Sequence, residues 1–399
     1  MDNVLAQRIS HLKESSTLKM AKMSRELAAK GLDIINLSLG EPDFDTPEHI
    51  KNAGIEAIRN NITHYPPVAG FPDLRKAVAD KFLRENGLNY TPNQVVVSTG
   101  AKQSIANVLQ SLLQEGDEII IPSPFWVSYP ETVKLAEATS VFVHAGIDQD
   151  FKITPAQLEK AITPKTKAFI YSNPSNPTGS FYNKDELKGL ADVFARHPNV
   201  YVISDEIYEH INYTGAHASL AAFPEIFERC IVINGVSKSF AMTGWRIGYA
   251  TGPQEIMSAC EKIQGQVTSG ASSISQKAAF AALTSSMEPT HKMAAAFLER
   301  RNFIVERLKS IPGMVTNMPE GAFYLFPEVS HYFGKQFEGH IISNSDDLSM
   351  YLLEHGHVSL VSGTGFGAPG HIRISFAASK ENIDKPVDQI GEALQKLKD

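Results

Sequence analysis

The sequence predicts an α/β protein with a mixed, mostly parallel central sheet in a large domain and a smaller α+β domain. Three observations carry this. Six apolar, mostly β-branched runs follow one another through the middle of the chain: "QVVVSTG", "DEIIIPSPFW", "TSVFVHA", "KAFIYSNPSNPTG", "NVYVISDEIYEH" and "CIVINGVSK". Helix-compatible stretches such as 101–114 and 183–197 separate several of them, the alternation of a parallel sheet covered on both faces. After "IPG" at 311–313 the pattern changes to "GAFYLFPEV", "VSLVSGTGFG" and "HIRISFAAS", strands interrupted by a helix over 346–356 and closed by another near 380–397.

The remaining elements follow in order. "ESSTLKMAKMSRELAAKG" has Ser/Thr caps at 15–17, helical apolar spacing and Gly31 as a stop. "DIINLSLGEPDFDTP" reads as a short strand running into a loop broken by Gly and Pro. Helical patterns dominate 48–115, interrupted by "HYPPVAGFP", and 275–310 reads as one long helix. We expect a large domain over 48–300. The small one combines an N-terminal arm, 1–47, with 301–399, because chain termini often lie close together.

Bulk properties narrow the function. A chain of 399 residues supports a large core and more than one domain. Its net charge of −7, with no long run of one sign, argues against nucleic-acid binding. Residues 1–20 show no uninterrupted apolar stretch, and no run approaches membrane-spanning length. The two cysteines, Cys230 and Cys260, make neither a metal-ligand spacing nor a disulfide framework. The expectation is a cytoplasmic protein without membrane or nucleic-acid partners and without a metal; His355 and His357 are the only close histidine pair.

In open α/β sheets ligands bind beyond the carboxyl ends of the strands. The polar residues there are Thr99-Gly100-Ala101-Lys102, Phe125-Trp126, Asn173 to Asn176, Asp205-Glu206 with Tyr208, and Ser237-Lys238. Each has a plain reading and a chemical one. "STGAKQS" is an ordinary strand-to-helix turn or an anion site at a helix start. Trp126 is a core residue or a stacking platform. The prolines of "NPSNPTG" make a simple turn or fix Asn176. Asp205 is a helix cap or a paired buried acid. Lys238 is a surface lysine or a desolvated nucleophile among small neighbours, with Arg246 placed for a phosphate. Taken jointly they supply an amine for an aldehyde, an acid for a ring nitrogen, a stacked face and an anion cradle. Those are the needs of pyridoxal 5′-phosphate.

"NPSNPTG", "SDEIYEHINY" and "SKSFAMTGWRIGYA" resemble the class I and II aminotransferases, pyridoxal-phosphate enzymes of fold type I. "LSLGEPDFDTP", "HYPPVAGFPDLRKAV", "PSPFWVSYPE" and "HIRISFA" resemble their bacterial aspartate aminotransferase branch, over about residues 30–380. The resemblance implies ping-pong transamination between an amino acid, aspartate first, and 2-oxoglutarate. The alternatives are aromatic, alanine or prephenate transamination or another fold type I pyridoxal-phosphate enzyme. A non-catalytic sensor of this fold would normally carry a basic DNA-binding segment, which residues 1–40 do not offer. It implies that Lys238 forms the Schiff base and shuttles the proton, Asp205 pairs with the ring nitrogen, and Tyr208 and Asn176 bond the phenolic oxygen. Trp126 stacks on the ring, and Gly100, Ala101, Lys102, Ser237 and Arg246 surround the phosphate. Arg373 grips the α-carboxylate beside Asn176 and the Gly40 backbone, and Lys102 reads a distal carboxylate. Tyr65 reaches the phosphate of a second subunit, which implies a homodimer with shared sites. Some relatives carry Ser or Thr three residues before the lysine, where this chain has Gly235.

Overall fold

All six central runs become strands of one seven-stranded sheet in the computed structural model, which describes residues 4–399. They are β1 (Val95–Ser98), β2 (Glu118–Ser123), β3 (Thr139–His144), β4 (Thr166–Ser172), β5 (Tyr201–Asp205) and β6 (Cys230–Gly235). The seventh, β7 (Gly248–Thr251), was hidden inside the "SKSFAMTGWRIGYA" motif. The order is β1-β7-β6-β5-β4-β2-β3. Only β7 runs antiparallel, pairing so with both β1 and β6. Its direction has a consequence. The carboxyl ends of the parallel strands and the amino end of β7 lie on one edge, so Arg246, just before β7, arrives beside residues that follow β1 and β6.

Alternation along the strands separates two apolar layers. Val95, Val97, Ile120, Phe169, Val202, Val232 and Tyr249 belong to one core, with Leu187, Leu190 and Phe194 of helix Lys184–Arg196 and with Ala278, Ala279 and Ala282 of helix Ser273–Thr284. Val96, Ile119, Ile121, Ile170, Ile203, Ile231 and Ile233 belong to the other. Helix Ala101–Leu112 adds Ile105, Val108 and Leu109 to it, and helix Gln254–Val267 adds Met257 and Cys260. Both cysteines are buried and free. β3 is an edge strand and correspondingly exposed.

The C-terminal region builds a further core around helices Glu288–Lys309, Ser345–His355 and Glu381–Gln395 and a three-stranded sheet. That sheet contains β8 (Tyr324–Leu325), β9 (Val361–Ser362) and β10 (Ile372–Ser375), in the order β9-β10-β8. The N-terminal segment joins it: Ile35–Asn36 pairs parallel with Val358–Ser359, and helix Ser16–Ala29 lies against β9. Ile207, Tyr208 and Ile211, which follow β5, are packed into this same core.

Two expectations change. The long helix over 275–310 is two helices, Ser273–Thr284 and Glu288–Lys309. "TSSMEP" breaks it, because Pro289 has no N–H for a helix interior and suits a first turn. The C-terminal strands are shorter than their apolar runs: Phe323 and Phe326, flanking β8, are buried but lie outside the two-residue strand.

Candidate active site

One cavity of about 330 Å³ opens at the carboxyl edge of the sheet. Gly40, Ala101, Lys102, Trp126, Asn176, Asp205, Tyr208, Ser237, Lys238, Arg246 and Arg373 all line it. Residues more than three hundred positions apart are thus collected by the strand ends.

Lys238 lies in a turn past the end of β6 and is half-buried. Its Nζ donates to the Gly40 carbonyl and sits 5.9 Å from the centre of the Tyr208 ring. Burial is the main cause that brings its pKa down to about 8; Glu41 and Asp205 pull it up, and Arg373 and Arg246 push it down. Asp205, the last residue of β5, is 6% exposed. Burial raises its carboxyl to about 6, against hydrogen bonds from Tyr129 and the Ile207 N–H. The segment after Asp205 is a series of turns, not a helix, and Asp205 caps none.

The anion-binding features come from backbone geometry as much as from side chains. Gly100 has φ +82 immediately before helix Ala101–Leu112. A Cβ there would collide with the Arg246 guanidinium, so glycine lets that group lie over the helix start. Arg246 Nη1 donates to the Thr243 carbonyl at 2.9 Å. The sheet is tight at this point: a Cβ on Gly235 would stand 2.9 Å from the Gly248 Cα and from the Ile247 carbonyl oxygen. That crowding leaves room for nothing larger than glycine at 235.

Arg373 lies in β10 and is 2% exposed. Nη1 donates to Asn176 Oδ1 at 2.9 Å and Nη2 to the Ser38 carbonyl at 2.6 Å. The Tyr324 ring lies 4.5 Å from its Cζ, and its Nε is buried without a partner. Lys102 Nζ stands 5.0 Å from the Trp126 ring centre, its pKa lowered by burial and by Arg246. Among the described residues no carboxylate lies within ion-pair distance of Lys102, Lys238, Arg246 or Arg373. The cavity therefore gathers four cations against two carboxylates, Glu41 and Asp205, neither of them in ion-pair contact with a cation, an excess of positive charge that suits an anion.

Some candidates lie elsewhere. Phe125 stacks on Phe142, 4.8 Å between centres. Asn173 is fully buried and ties the Tyr182 and Ala218 backbones. Glu206 is 0% exposed and bonds Ser204, Ser219 and His217 away from the cavity. Tyr65 is 97% exposed and does not line the cavity. Residues not singled out from the sequence do contribute. Tyr129 donates to Asp205 Oδ2 at 2.7 Å, and the Tyr208 and Tyr324 hydroxyls pair at 2.7 Å. Thr243 donates to Glu41 across the cavity rim, and Ser15, Thr17 and Leu18 form part of its wall. Tyr129 had a readable signal, three residues after Trp126 at the start of a helix; Tyr324, in a short apolar run, had none.

A model of the family described as aminotransferase class I and II matches residues 32–390. The chain belongs to the class I and II aminotransferases. A curated aminotransferase relative from Petunia hybrida, the bifunctional aspartate aminotransferase and glutamate/aspartate-prephenate aminotransferase, is 47% identical, covering 100% of this chain and 84% of its own. The aspartate aminotransferase of Geobacillus stearothermophilus is 46% identical, with 97% and 98% covered. Among solved structures, the aspartate aminotransferase of Rhizobium meliloti superposes with a TM-score of 0.95 at 40% identity, covering 99% of this aminotransferase and 100% of its own chain. That of Thermus thermophilus with maleate gives 0.92 at 40% identity, with 98% and 100% covered. The fold and the transaminase assignment expected from the sequence both stand.

Proposed function

We propose that this aminotransferase binds pyridoxal 5′-phosphate in the cavity and transfers the amino group between L-aspartate and 2-oxoglutarate. The observation that carries the reading is a half-buried lysine of lowered pKa, facing a buried carboxylate, inside a cavity where cations outnumber carboxylates. The donor set fits the cofactor: an amine for its aldehyde, Asp205 for its ring nitrogen, Tyr208 and Asn176 for its phenolic oxygen and Trp126 for its face. Gly100, Ala101, Lys102, Ser237 and Arg246 would hold its phosphate. When bound, the group supplies an electron-withdrawing ring that stabilises charge at the substrate α-carbon.

The chain's own residues do the rest. Arg373 would grip the substrate α-carboxylate with its planar guanidinium, with Asn176 fixing its plane. Lys102, free of any carboxylate, reads the distal carboxylate. With a pKa of about 8, Lys238 keeps about a tenth of its amine neutral at pH 7. It can then take a proton from the α-carbon and return it elsewhere. Glu41, Thr243 and the 15–18 segment wall off water. Exposed Tyr65 serves the cavity of a second copy, so the working unit is a homodimer. The large domain spans 48–300 and the small one 1–47 with 301–399. Two free, buried thiols fit action in the cytoplasm.

Initial rates with a panel of amino donors at fixed 2-oxoglutarate, together with the visible spectrum, test this. A cofactor band that shifts on adding aspartate, with aspartate the fastest donor, is expected. Phenylalanine or alanine far ahead of aspartate would overturn the substrate assignment. The names of the Petunia relative and of the 46% identical Rhizobium leguminosarum relative, a probable aspartate/prephenate aminotransferase, favour one addition. Prephenate as amino acceptor is the second reading, tested by initial rates with prephenate in place of 2-oxoglutarate and aspartate or glutamate as donor.

A further inference from the structure

The carboxylate that faces the cavity has one side-chain donor. Tyr129 reaches Asp205 Oδ2 at 2.7 Å, while among the described residues the only other hydrogen bond to the carboxylate is a long one, 3.4 Å, from the Ile207 N–H to Oδ1. Tyr129 is 1% exposed and lies in the first turn of helix Ser128–Leu135, its N–H on the Trp126 carbonyl at 3.0 Å. Its ring meets Trp126 edge-on, at 5.4 Å and 84°. The tyrosine is therefore locked on three sides, and burial keeps its hydroxyl protonated and a donor. The other titratable groups that face Asp205 are Glu206 beside it, Tyr208 on the same segment and Lys238 across from it. None of these donates a hydrogen bond to it.

We propose that Tyr129 is a positioning residue for the reaction: its hydroxyl aims the Asp205 carboxylate into the cavity and favours its charged form. A charged carboxylate can hold a protonated ring nitrogen; a neutral acid cannot. The catalytic part of this inference rests on the reading given under Proposed function, whereas the effect on Asp205 does not.

The test is a double-mutant cycle of Tyr129→Phe and Asp205→Asn, on two readouts. The first is the unfolding equilibrium of the full chain stripped of cofactor, at pH 5 and pH 8. Phenylalanine keeps the ring and its packing. Losing one hydrogen bond to a charged group raises the Asp205 pKa by about one unit or more. Tyr129→Phe should then lower the folding equilibrium constant about tenfold more at pH 8 than at pH 5, and this pH-dependent gap should vanish when residue 205 is Asn. A gap equal at both pH values, or one that survives Asp205→Asn, overturns the proposal. The second readout is turnover of the loaded enzyme with aspartate and 2-oxoglutarate. Tyr129→Phe should lower kcat with little change in KM, and should have no further effect on Asp205→Asn. Additive losses would overturn the positioning role. Failure of the wild-type chain to bind pyridoxal 5′-phosphate would sink the functional reading while the unfolding readout still decided the Tyr129–Asp205 coupling.

Discussion

The segment after β5 treats charge in opposite ways on its two sides. Asp205 and Tyr208 face the cavity, whereas Glu206, Glu209 and His210, interleaved with them, turn away into a buried polar network. There Glu209 contacts the Lys81 ammonium, itself 1% exposed, and takes hydrogen bonds from Asn86 at 3.1 Å and Asn234 at 2.8 Å. His210 bridges Ser239 and Glu85, both at 2.9 Å, and His217 meets Glu206 at 2.8 Å. Burial alone would raise Glu209, but Lys81, His210 and His217 outweigh it and hold the carboxyl far below its usual range. In the cavity the same cost of burial stays unbalanced: Asp205 goes up and Lys238 comes down. One side satisfies its charges inside the protein. The other leaves them for a ligand.

That contrast can be broken from either side. The largest effect is expected for Lys238→Ala, which should cut turnover by about 10⁴-fold or more, while the stripped chain melts no lower than wild type because a desolvated amine has been removed. Loss of activity through unfolding would contradict it. Next comes Lys81→Met, which leaves Glu209 buried without its counter-charge and should cost about 3–5 kcal/mol in denaturant unfolding; KM for aspartate should hold at temperatures where the variant is folded. If the loss were below about 1 kcal/mol, the network would not be the stabilising side.

Asp205→Asn tests the cavity in the reverse direction. A carboxyl raised from 3.8 to about 6 binds protons more tightly in the folded chain than in the unfolded one. The stripped protein should therefore lose stability as pH rises from about 4 to about 6, by roughly 3 kcal/mol. Asparagine should remove that loss, giving a chain of much lower but measurable turnover that is more stable at pH 7. Calorimetry at pH 4.5 and pH 7 checks the sign.

The last effect is read as a slope. Glu209, depressed, contributes stability above the ordinary carboxylate pKa and loses it as pH falls toward its folded value. His217 is pulled down by burial but raised more by Glu206, so it contributes below its ordinary value of 6.5 and loses this as pH climbs. Replacing Glu209 with Gln should flatten the acid slope of the stability curve, and replacing His217 with Asn the slope above about pH 6.5. Unchanged slopes would show that other groups govern both limbs.

Much of the site was legible because its chemistry follows strand ends. Lys238, Asp205, Asn176 and the Gly100 turn each stand just past a recognisable apolar run. Arg373 was readable only through the family motif, since an arginine within "HIRISFA" looks like any strand charge. Tyr129 and Tyr324 were missed for a related reason: each meets a partner 76 or 116 residues away, which Tyr129's place three residues after Trp126 only hints at and nothing in the local pattern around Tyr324 marks. β7 was missed because Gly248, required where the chain crosses the Gly100–Ala101 backbone, weakens the strand signal.

The sequence by itself determined what neighbours along the chain can decide: six strands, their alternation with helices, the caps and turns, and the placing of reactive groups after strands. Hydrophobic period and turn chemistry are local properties, and they survive without knowledge of the fold. Which of those groups would be paired was decided only by tertiary structure. Glu206 and Asp205 are adjacent in the chain, yet one meets His217, Ser204 and Ser219 while the other faces a cavity and a single tyrosine. The energy of a buried charge depends on what surrounds it in space, and a strand's pleat sends successive side chains to opposite surroundings.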